Sequence, residues 1–293
     1  MNIKPGETLS VVGESGCGKS TLARLIMRLV EPSDGSILFN GDDITKLSRE
    51  RMRKQRRNIQ IVFQDPYASL NPRQRVHDML GEPLLIHHLA DRRQARERAV
   101  ELLGMVGLGT DSMDKFPHEF SGGQRQRLCI ARALAVEPKL IICDECVSAL
   151  DVSIQAQIIN LLTRLQKQLN LTLLFISHDL RVVRHISDRV IVMYLGRVLE
   201  QAPKDVLFKS PTHPYTKALL SAVPIPDPKF EKKRIILMGD IPSPINSPSG
   251  CKFRTRCYQA RESCAASEPE LLPISPEHYC RCPYWDLAKE ESK

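Results

Sequence analysis

The sequence is poor in aromatic residues and has no long apolar run. Aromatic residues make up 5% of its 293 residues, with a single Trp, and such a composition disfavours an all-β sandwich. No apolar stretch reaches the about 18 residues that cross a bilayer, and the N-terminus lacks the apolar core of a secretory signal. These absences predict a cytosolic α/β or α protein, whose nine cysteines are mostly free thiols or metal ligands rather than disulfides.

A strong excess of charge of one sign is also missing. Lys and Arg number 42 against 34 Asp and Glu, so the net charge is +8. A content of 42% hydrophobic and 26% charged residues excludes a disordered or fibrous chain. Two basic runs, at residues 49–57 and 92–98, contain no aromatic residue, which disfavours a stacking platform for single-stranded nucleic acid. We interpret them as exposed helix faces and expect no nucleic-acid partner.

Segments with strand and helix character alternate along most of the chain. The predicted strands are residues 8–12, 59–64, 140–144, 171–177 and 189–194, and residues 72–136 are mainly helical. This order predicts an α/β fold with a largely parallel sheet covered by helices on both faces. Beyond about residue 202 prolines become dense, and proline cannot occupy a central strand. We therefore predict one domain at residues 1–202 and an irregular Pro- and Cys-rich extension at residues 203–293.

Residues 13–20 read G-E-S-G-C-G-K-S and match the phosphate-loop pattern G-x-x-x-x-G-K-[ST] between a predicted strand and a helix. Glycines let backbone N–H groups point at phosphate oxygens, and the helix N-terminus adds a partial positive charge. Lys19 is expected to reach the β- and γ-phosphates, and the Ser20 hydroxyl to bind Mg²⁺. The predicted nucleotide contacts of the loop are Gly13, Glu14, Ser15, Gly16, Cys17, Gly18, Lys19, Ser20 and Thr21.

Two carboxylates, Asp144 and Glu145, follow the apolar run at residues 140–143. They stand at the carboxyl end of a buried strand, which is where ligands bind in open α/β sheets. Neighbouring strand residues point to opposite sides, so the two acids can have separate roles. We expect Asp144 to help hold Mg²⁺ and Glu145 to act as general base on the attacking water.

A third motif consists of Ser121, Gly122, Gly123 and Gln124 before a predicted helix. Ser121 suits a helix N-cap, and the glycines expose backbone N–H groups. By itself the motif indicates only a capped helix or a second anion site. Together with the phosphate loop and the acidic strand end, it closely resembles the signature of ATP-binding cassette (ABC) ATPases.

Further motifs agree with this resemblance. Gln64 in V-F-Q-D-P resembles the glutamine loop, residues 148–151 resemble the dimer-facing D-loop, and His178 in F-I-S-H-D-L resembles the switch histidine. The resemblance implies the P-loop NTPase fold of ABC ATPases, with a helical subdomain at about residues 72–136. It also implies ATP hydrolysis with Mg²⁺, in which Gln64 senses the metal and the γ-phosphate and His178 holds the γ-phosphate.

The C-terminal part carries a finer resemblance. Residues 211–220, P-T-H-P-Y-T-K-A-L-L, look like the C-terminal motif of ATPases from oligopeptide, dipeptide and nickel importers. Residues 239–244 and G-C-K-F-R-T-R-C at 250–257 are most similar to the second ATPase subunit of the oligopeptide and dipeptide systems. The resemblance implies import of di- or oligopeptides, and a nickel or other small-solute importer is an alternative.

The same resemblance implies a set of partners. They are a second ABC ATPase in a head-to-tail heterodimer, two membrane permease subunits and, indirectly, a solute-binding protein, at the cytoplasmic face of the inner membrane. In such a pair, residues 121–124 act on the nucleotide held by the partner. Soluble ABC proteins of translation or DNA repair, another alternative, tend to carry two cassettes or a long coiled-coil insertion, and this sequence has neither.

The phosphate loop starts at Gly13, whereas family members have a longer lead-in with the first antiparallel strands and an aromatic residue that stacks on adenine. We therefore expect the N-terminal strands to be missing. A truncated cassette that is weakly active or inactive is accordingly a further alternative to the active ATPase.

Five of the nine cysteines lie in the last 43 residues. Cys251, Cys257, Cys264 and Cys280 have the spacing C-x5-C-x6-C-x15-C, with Cys282 in reserve. Thiolates suit iron–sulfur clusters or zinc, and the lack of C-x2-C pairs weighs against a zinc ribbon. A four-cysteine [4Fe–4S] site is chemically compatible, and similar tails in this family look like cluster binders. Zinc and the absence of any metal stay open.

Overall fold

A computed structural model describes residues 1–224 and 234–285. Residues 225–233 and 286–293 of the predicted extension lie outside the described residues. The chain forms two compact units. The first consists of residues 1–8 and 20–176, and the second consists of residues 9–19 and 177–293.

The described residues form strands and helices that alternate as the sequence predicts. The strands are β1 (Thr8–Val12), β2 (Leu38–Phe39), β3 (Asp42–Asp43), β4 (Ile59–Val62), β5 (Leu140–Asp144), β6 (Thr172–Ile176), β7 (Arg189–Tyr194), β8 (Arg197–Pro203), β9 (Leu272–Ser275) and β10 (His278–Cys280). The helices are α1 (Lys19–Ile26), α2 (Arg49–Arg56), α3 (Pro66–Ser69), α4 (Val76–Ile86), α5 (Arg92–Met105), α6 (Gly122–Leu134), α7 (Val152–Leu169), α8 (Leu180–Ile186), α9 (Lys204–Lys209) and α10 (Pro214–Ser221). None of the helices in the described ranges is long and apolar enough to span a membrane.

The first unit contains three parallel strands. β5 lies in the middle, with Leu140 opposite Ile59 of β4 and opposite Thr172 of β6. All of β5 is buried, as expected for a continuous apolar strand that is covered on both faces. The predicted α/β fold with parallel strands is confirmed.

The predicted helical segment of the first unit is also confirmed. Helices α3 to α6 lie between Pro66 and Leu134. One face of α5 buries Ala95, Ala99 and Leu102, while most of its basic residues are exposed. The basic run at residues 92–98 is therefore the solvated face of an amphipathic helix, as predicted.

The second unit combines a parallel and several antiparallel strand pairs. Leu9 of β1 lies opposite Arg189 of the parallel strand β7, and β7 forms an antiparallel hairpin with β8. Leu195 and Gly196 connect the hairpin with φ values of 43° and 74°, as the tight turn of a twisted hairpin requires. β8 also pairs with β10, and it includes residue 202, near which the sequence predicts a domain boundary.

The C-terminal extension adds strands to the second unit. β10 pairs antiparallel with β8 and with β9, whereas the sequence predicted an irregular tail. That prediction was wrong for these residues because proline excludes only central strands. Pro273 lies in β9, which is the last strand of the sheet, and an edge strand tolerates a residue without an N–H group.

Candidate nucleotide-binding site

The phosphate loop joins β1 to α1, in the strand–loop–helix order that the sequence predicts. Lys19 is the first residue of α1 and is only 4% exposed. Its Nζ donates hydrogen bonds to the carbonyl oxygens of Gly13, at 2.9 Å, and Glu14, at 3.0 Å. The Lys19 ammonium group therefore lies against the first residues of the loop, and α1 begins at its last residues; a positive charge and a helix N-terminus both favour an anionic ligand.

Two glycines of the loop are required by geometry. A Cβ atom on Gly13 would lie 2.2 Å from the carbonyl oxygen of Met193 in β7 and 2.8 Å from the Sγ of Cys17. Gly18 has a φ of +102°, which residues with a side chain rarely adopt. The loop thus packs tightly on β7, and its path depends on glycine.

In the first unit, three predicted magnesium ligands line one cavity. The Ser20 hydroxyl donates to Oδ1 of Asp144 at 3.0 Å. Both residues line a cavity of about 440 Å³ together with Gln64, and Asp144, the last residue of β5, is 7% exposed. Hydroxyl, carboxylate and amide oxygens are hard ligands that Mg²⁺ accepts together with water. The donor set at this cavity therefore fits a magnesium ion.

Glu145 occupies a sharp turn directly after β5. Its φ of +50° lies in the left-handed region, which costs a residue with a side chain about 1 kcal/mol and is common at functional sites. Its N–H donates to the Ile176 carbonyl at 3.0 Å, and the Ser148 hydroxyl donates to its own carbonyl at 2.9 Å. Hydrogen bonds on both sides of the residue thus hold the turn in place.

His178 lies in the second unit, two residues beyond the end of β6, and is exposed. The residues around it are anchored. The N–H of Ser177 donates to the Val11 carbonyl at 3.2 Å, and Asp179 caps α8 by accepting from the Arg181 N–H at 2.8 Å. The structure therefore places His178 on a well-supported loop, and its role stays a prediction.

The predicted signature forms the start of α6 in the first unit. The N–H of Gln124 donates to the Ser121 hydroxyl at 3.4 Å, and the N–H of Ser121 donates to Oε1 of Gln124 at 3.0 Å. This reciprocal cap confirms Ser121 as the N-cap. Both side chains are exposed, whereas a Cβ on Gly123 would lie 2.5 Å from Cγ2 of Ile154 on α7. The small residue lets α6 approach α7 closely.

Two side chains from the C-terminal region contact the phosphate loop, and neither contact was predicted from the sequence. The Tyr215 hydroxyl accepts a hydrogen bond from the N–H of Glu14 at 3.0 Å, and Arg256 pairs with the Glu14 carboxylate at 2.6 Å. Both residues lie in motifs that carried the finer resemblance. No local pattern could reveal these contacts, because 201 and 242 residues separate the partners.

Four cysteines of the second unit line a cavity of about 700 Å³, namely Cys251, Cys257, Cys264 and Cys282. Burial raises the pKa of the Cys257 thiol to about 11, and Cys282, Cys251 and Cys264 shift it further in the same direction. Burial likewise raises the pKa of Cys282. The thiols thus lie close enough to interact, and burial favours the protonated form of Cys257 and Cys282 because it raises the pKa of both.

Cys280, which was predicted as the fourth ligand, occupies a different position. It lies on β10 and is 1% exposed. Burial raises the pKa of its thiol, and the negative charge of Glu200 raises it further. Cys282, two residues further on, lines the cavity instead. Across the described ranges, no three Cys, His, Asp or Glu side chains are arranged to hold a single metal ion, so the thiols do not form a ready zinc site.

Comparisons with known families agree with the motifs. Residues 1–148 match the ABC transporter family, and residues 199–264 match the family described as oligopeptide/dipeptide transporter, C-terminal region. The second match covers α10, Tyr215 and Arg256. It therefore includes the residues that contact the phosphate loop.

Individual relatives are similar over most of their length. The chain is 55% identical to the oligopeptide transport ATP-binding protein AppF of Bacillus subtilis, over 96% of this chain and 87% of the relative. It is 55% identical to the oligopeptide transport ATP-binding protein OppF of Haemophilus influenzae, over 94% of this chain and 84% of the relative.

Solved structures support the fold. The structure of cbiO1 from Clostridium perfringens, part of the ABC transporter complex cbiONQ, superposes with a TM-score of 0.66 at 35% identity, over 72% of this chain and 82% of that one. The ATP-binding cassette MJ0796, in a dimeric state bound to ADP and Pi, superposes with a TM-score of 0.63 at 33% identity, over 70% of this chain and 88% of that one. The chain has a phosphate loop and an acidic strand end, and its relatives are ATP-binding proteins of ABC transporters. It therefore belongs to the ABC transporter family.

Proposed function

We propose that the chain is the ATP-hydrolysing subunit that energises import of di- or oligopeptides through a membrane transporter. The observation that carries the proposal is the Ser20–Asp144 hydrogen bond at 3.0 Å, at a cavity that Gln64 also lines, with Ser20 directly after the phosphate-loop lysine. The peptide assignment rests on the match of residues 199–264 to the C-terminal region of oligopeptide/dipeptide transporters. The names of the relatives point the same way.

Each side chain of the proposed site has a defined role. Lys19 neutralises the β- and γ-phosphates, while the loop N–H groups bind phosphate oxygens. Ser20, Gln64 and Asp144 would hold Mg²⁺, which would supply positive charge to offset the negative charge that develops during transfer. Glu145 accepts the proton of the attacking water.

The remaining site residues act at the γ-phosphate and at the partner. His178 donates a hydrogen bond to the γ-phosphate and orients the water. The exposed N-terminus of α6, with Ser121 and Gln124, contacts the nucleotide held by a second ATPase in a head-to-tail pair, since helix N-termini favour anions. Ser121, Gly122, Gly123 and Gln124 therefore complete the partner's site.

We propose that the working assembly is a transporter at the cytoplasmic face of the inner membrane. The chain pairs with a second, different ABC ATPase and binds peripherally to two permease subunits, which receive solute from a binding protein. Closure of the ATPase pair on ATP moves the permeases, and hydrolysis resets them.

Glu145→Gln tests the hydrolytic role, because the amide cannot accept the proton from water. We expect the purified variant to bind Mg–ATP as the wild-type protein does and to release phosphate at least about 100-fold more slowly. Glu137→Gln, an exposed carboxylate of the same unit, is the matched control. Normal phosphate release by Glu145→Gln would refute the assignment of the base.

Uptake by cells that lack the chromosomal gene tests the solute. Cells complemented with the wild-type gene should accumulate labelled di- and oligopeptides, whereas cells with Glu145→Gln should not. Accumulation of nickel without peptide uptake would favour the alternative importer. ATP-independent peptide uptake would contradict the proposal altogether.

The cavity lined by four thiols supports a cofactor proposal. We propose that Cys251, Cys257, Cys264 and Cys282 bind a [4Fe–4S] cluster, with Cys282 in the position first assigned to Cys280. Each thiolate of a cluster binds a different iron, so the ligands surround a cavity and need not converge on one point. Thiolates are soft ligands, which fits iron–sulfur chemistry.

Protein purified without air tests the cluster. We expect a brown colour with about four irons and four sulfides per chain, lost in Cys282→Ser and retained in Cys280→Ser. Colourless wild-type protein that contains zinc or no metal would refute the cluster. Loss of colour in Cys280→Ser alone would restore Cys280 as the ligand.

A further inference from the structure

Glu14 of the phosphate loop is held from three directions. Its carbonyl accepts from Lys19 Nζ at 3.0 Å, and its N–H donates to the Tyr215 hydroxyl at 3.0 Å. Its carboxylate accepts two hydrogen bonds from Arg256, at 2.6 Å from Nη1 and 3.2 Å from Nη2. Such a bidentate pair fixes orientation as well as position.

The groups that hold Glu14 are themselves rigid. Tyr215 is fully buried, and the Arg256 side chain is only 8% exposed. Hydrogen bonds to Glu14 raise the pKa of Arg256, and this effect outweighs burial, which lowers the pKa. The Glu14 side chain is 25% exposed, so the ion pair is partly shielded from water and its charges are screened less than those of a surface pair.

An aromatic cluster connects the two anchors. Phe253, from the segment between Cys251 and Cys257, is fully buried. Its ring centroid lies 5.2 Å from that of Tyr215 and 5.4 Å from that of Tyr194, and the two tyrosine rings are 4.9 Å apart. Tyr194 is the last residue of β7, which flanks Gly13. The cysteine-rich segment thus packs on the strand and the helix that support the phosphate loop.

The charge of Glu14 needs compensation. A carboxylate within a loop that binds phosphates repels the ligand, and the repulsion is strong where water is partly excluded. Arg256 cancels that charge through two hydrogen bonds, and Tyr215 fixes the adjacent N–H. A loop ordered in advance also loses less conformational entropy when nucleotide binds.

We infer that Arg256 and Tyr215 are positioning residues for ATP binding, through which the C-terminal region sets the nucleotide affinity of the phosphate loop. This inference rests on the proposed function as an ATPase. It assigns the C-terminal region a role in the nucleotide site, in addition to any role in binding a cofactor or the permeases. If the region served only as an independent lobe, its ion pair with Glu14 would affect stability but not nucleotide affinity.

The test measures Mg–ATP affinity, and KM against kcat, in the full chain. Arg256→Gln leaves the Glu14 carboxylate unpaired beside the phosphates, so we expect ATP to bind about tenfold or more weakly, with kcat at saturating ATP within about twofold of wild type. Tyr215→Phe removes only the hydroxyl acceptor and should weaken binding about threefold to tenfold. Arg254→Gln is the matched control, because the Arg254 side chain donates to the carbonyl and the hydroxyl of Ser249 in the same segment.

A double-mutant cycle separates charge compensation from folding. If Arg256 acts by neutralising Glu14, Arg256→Gln should weaken ATP binding less than about twofold when Glu14→Gln is already present. Equal loss in both backgrounds, or normal affinity in both Arg256→Gln and Tyr215→Phe, would overturn the inference. If Arg256→Gln fails to fold, Tyr215→Phe decides by itself. Wild-type protein that neither binds nor hydrolyses ATP would overturn the proposed function as well, whereas an active wild type with unaffected variants would overturn this inference alone.

Discussion

Acidification is expected to destabilise the second unit through His213. This histidine is 1% exposed, and its Nδ1 accepts a hydrogen bond from the N–H of Tyr215 at 3.0 Å, which caps α10. Burial lowers the pKa of His213 from 6.5 to about 4, an effect that Glu200 opposes and Lys217 reinforces. A proton on Nδ1 would remove the cap and place a positive charge in the core.

The sign and size of the effect follow from the difference between the folded and unfolded pKa values. Above about pH 6.5 both states are neutral at this position, so the group does not change stability. Below that pH the unfolded chain binds the proton first, and stability falls until the folded pKa near 4 is reached. Linkage between pKa values of 6.5 and 4 gives a loss of about 2 kcal/mol at about pH 5.

The assay is urea unfolding followed by fluorescence of Trp285, the single Trp of the chain, which belongs to the second unit. His213→Asn is the matched variant, because an Asn side chain still caps the helix but does not titrate. Between about pH 8 and pH 5, the wild-type protein should lose about 2 kcal/mol more stability than His213→Asn. Parallel pH dependences of the two proteins would refute the reasoning, whatever their absolute stabilities.

Three further substitutions test other contacts. Gly13→Ala should lower ATP affinity at least about tenfold, because the added Cβ would lie 2.2 Å from the Met193 carbonyl oxygen. Equilibrium binding of Mg–ATP measures the affinity, and an unchanged affinity would contradict the tight packing. Glu200→Gln should destabilise the second unit by about 3 kcal/mol, because the fully buried carboxylate accepts hydrogen bonds from two backbone N–H groups and is hydrogen-bonded to His278. Urea unfolding measures the loss, with Glu270→Gln at an exposed position as the control. Gly123→Ala should slow ATP hydrolysis, because the added Cβ would lie 2.5 Å from the Ile154 side chain. A second substitution, Ile154→Ala, in the same chain should restore phosphate release. If it does not, that contact is not the cause.

Much of the nucleotide site could be predicted from local patterns. The G-x-x-x-x-G-K-[ST] spacing located the strand, loop and helix of the phosphate loop, since the loop's geometry depends on residues close together in sequence. The apolar run before Asp144 and Glu145 identified a buried strand with two acids at its end. The Ser121 cap was predictable for the same reason, because a capping box involves residues three positions apart.

Long-range contacts were not predictable in this way. The pairing of Arg256 and Tyr215 with Glu14 joins residues that no periodicity relates, and a partly buried ion pair can be identified only when both partners are placed. The fourth thiol at the cysteine-lined cavity was assigned by spacing to Cys280. The structure lines the cavity with Cys282, because the short strand β10 takes Cys280 into the core beside Glu200.

Contiguous sequence motifs thus determine the residues for ATP binding, because phosphates are held mainly by backbone N–H groups and by side chains adjacent to them. What surrounds the phosphate loop was decided by tertiary structure. Aromatic packing of Tyr194, Tyr215 and Phe253 brings the C-terminal region against the loop, and the fold places Arg256 and Glu14 together as a partly buried ion pair. Burial depends on the whole fold, so neither residue could be recognised by its neighbours in sequence.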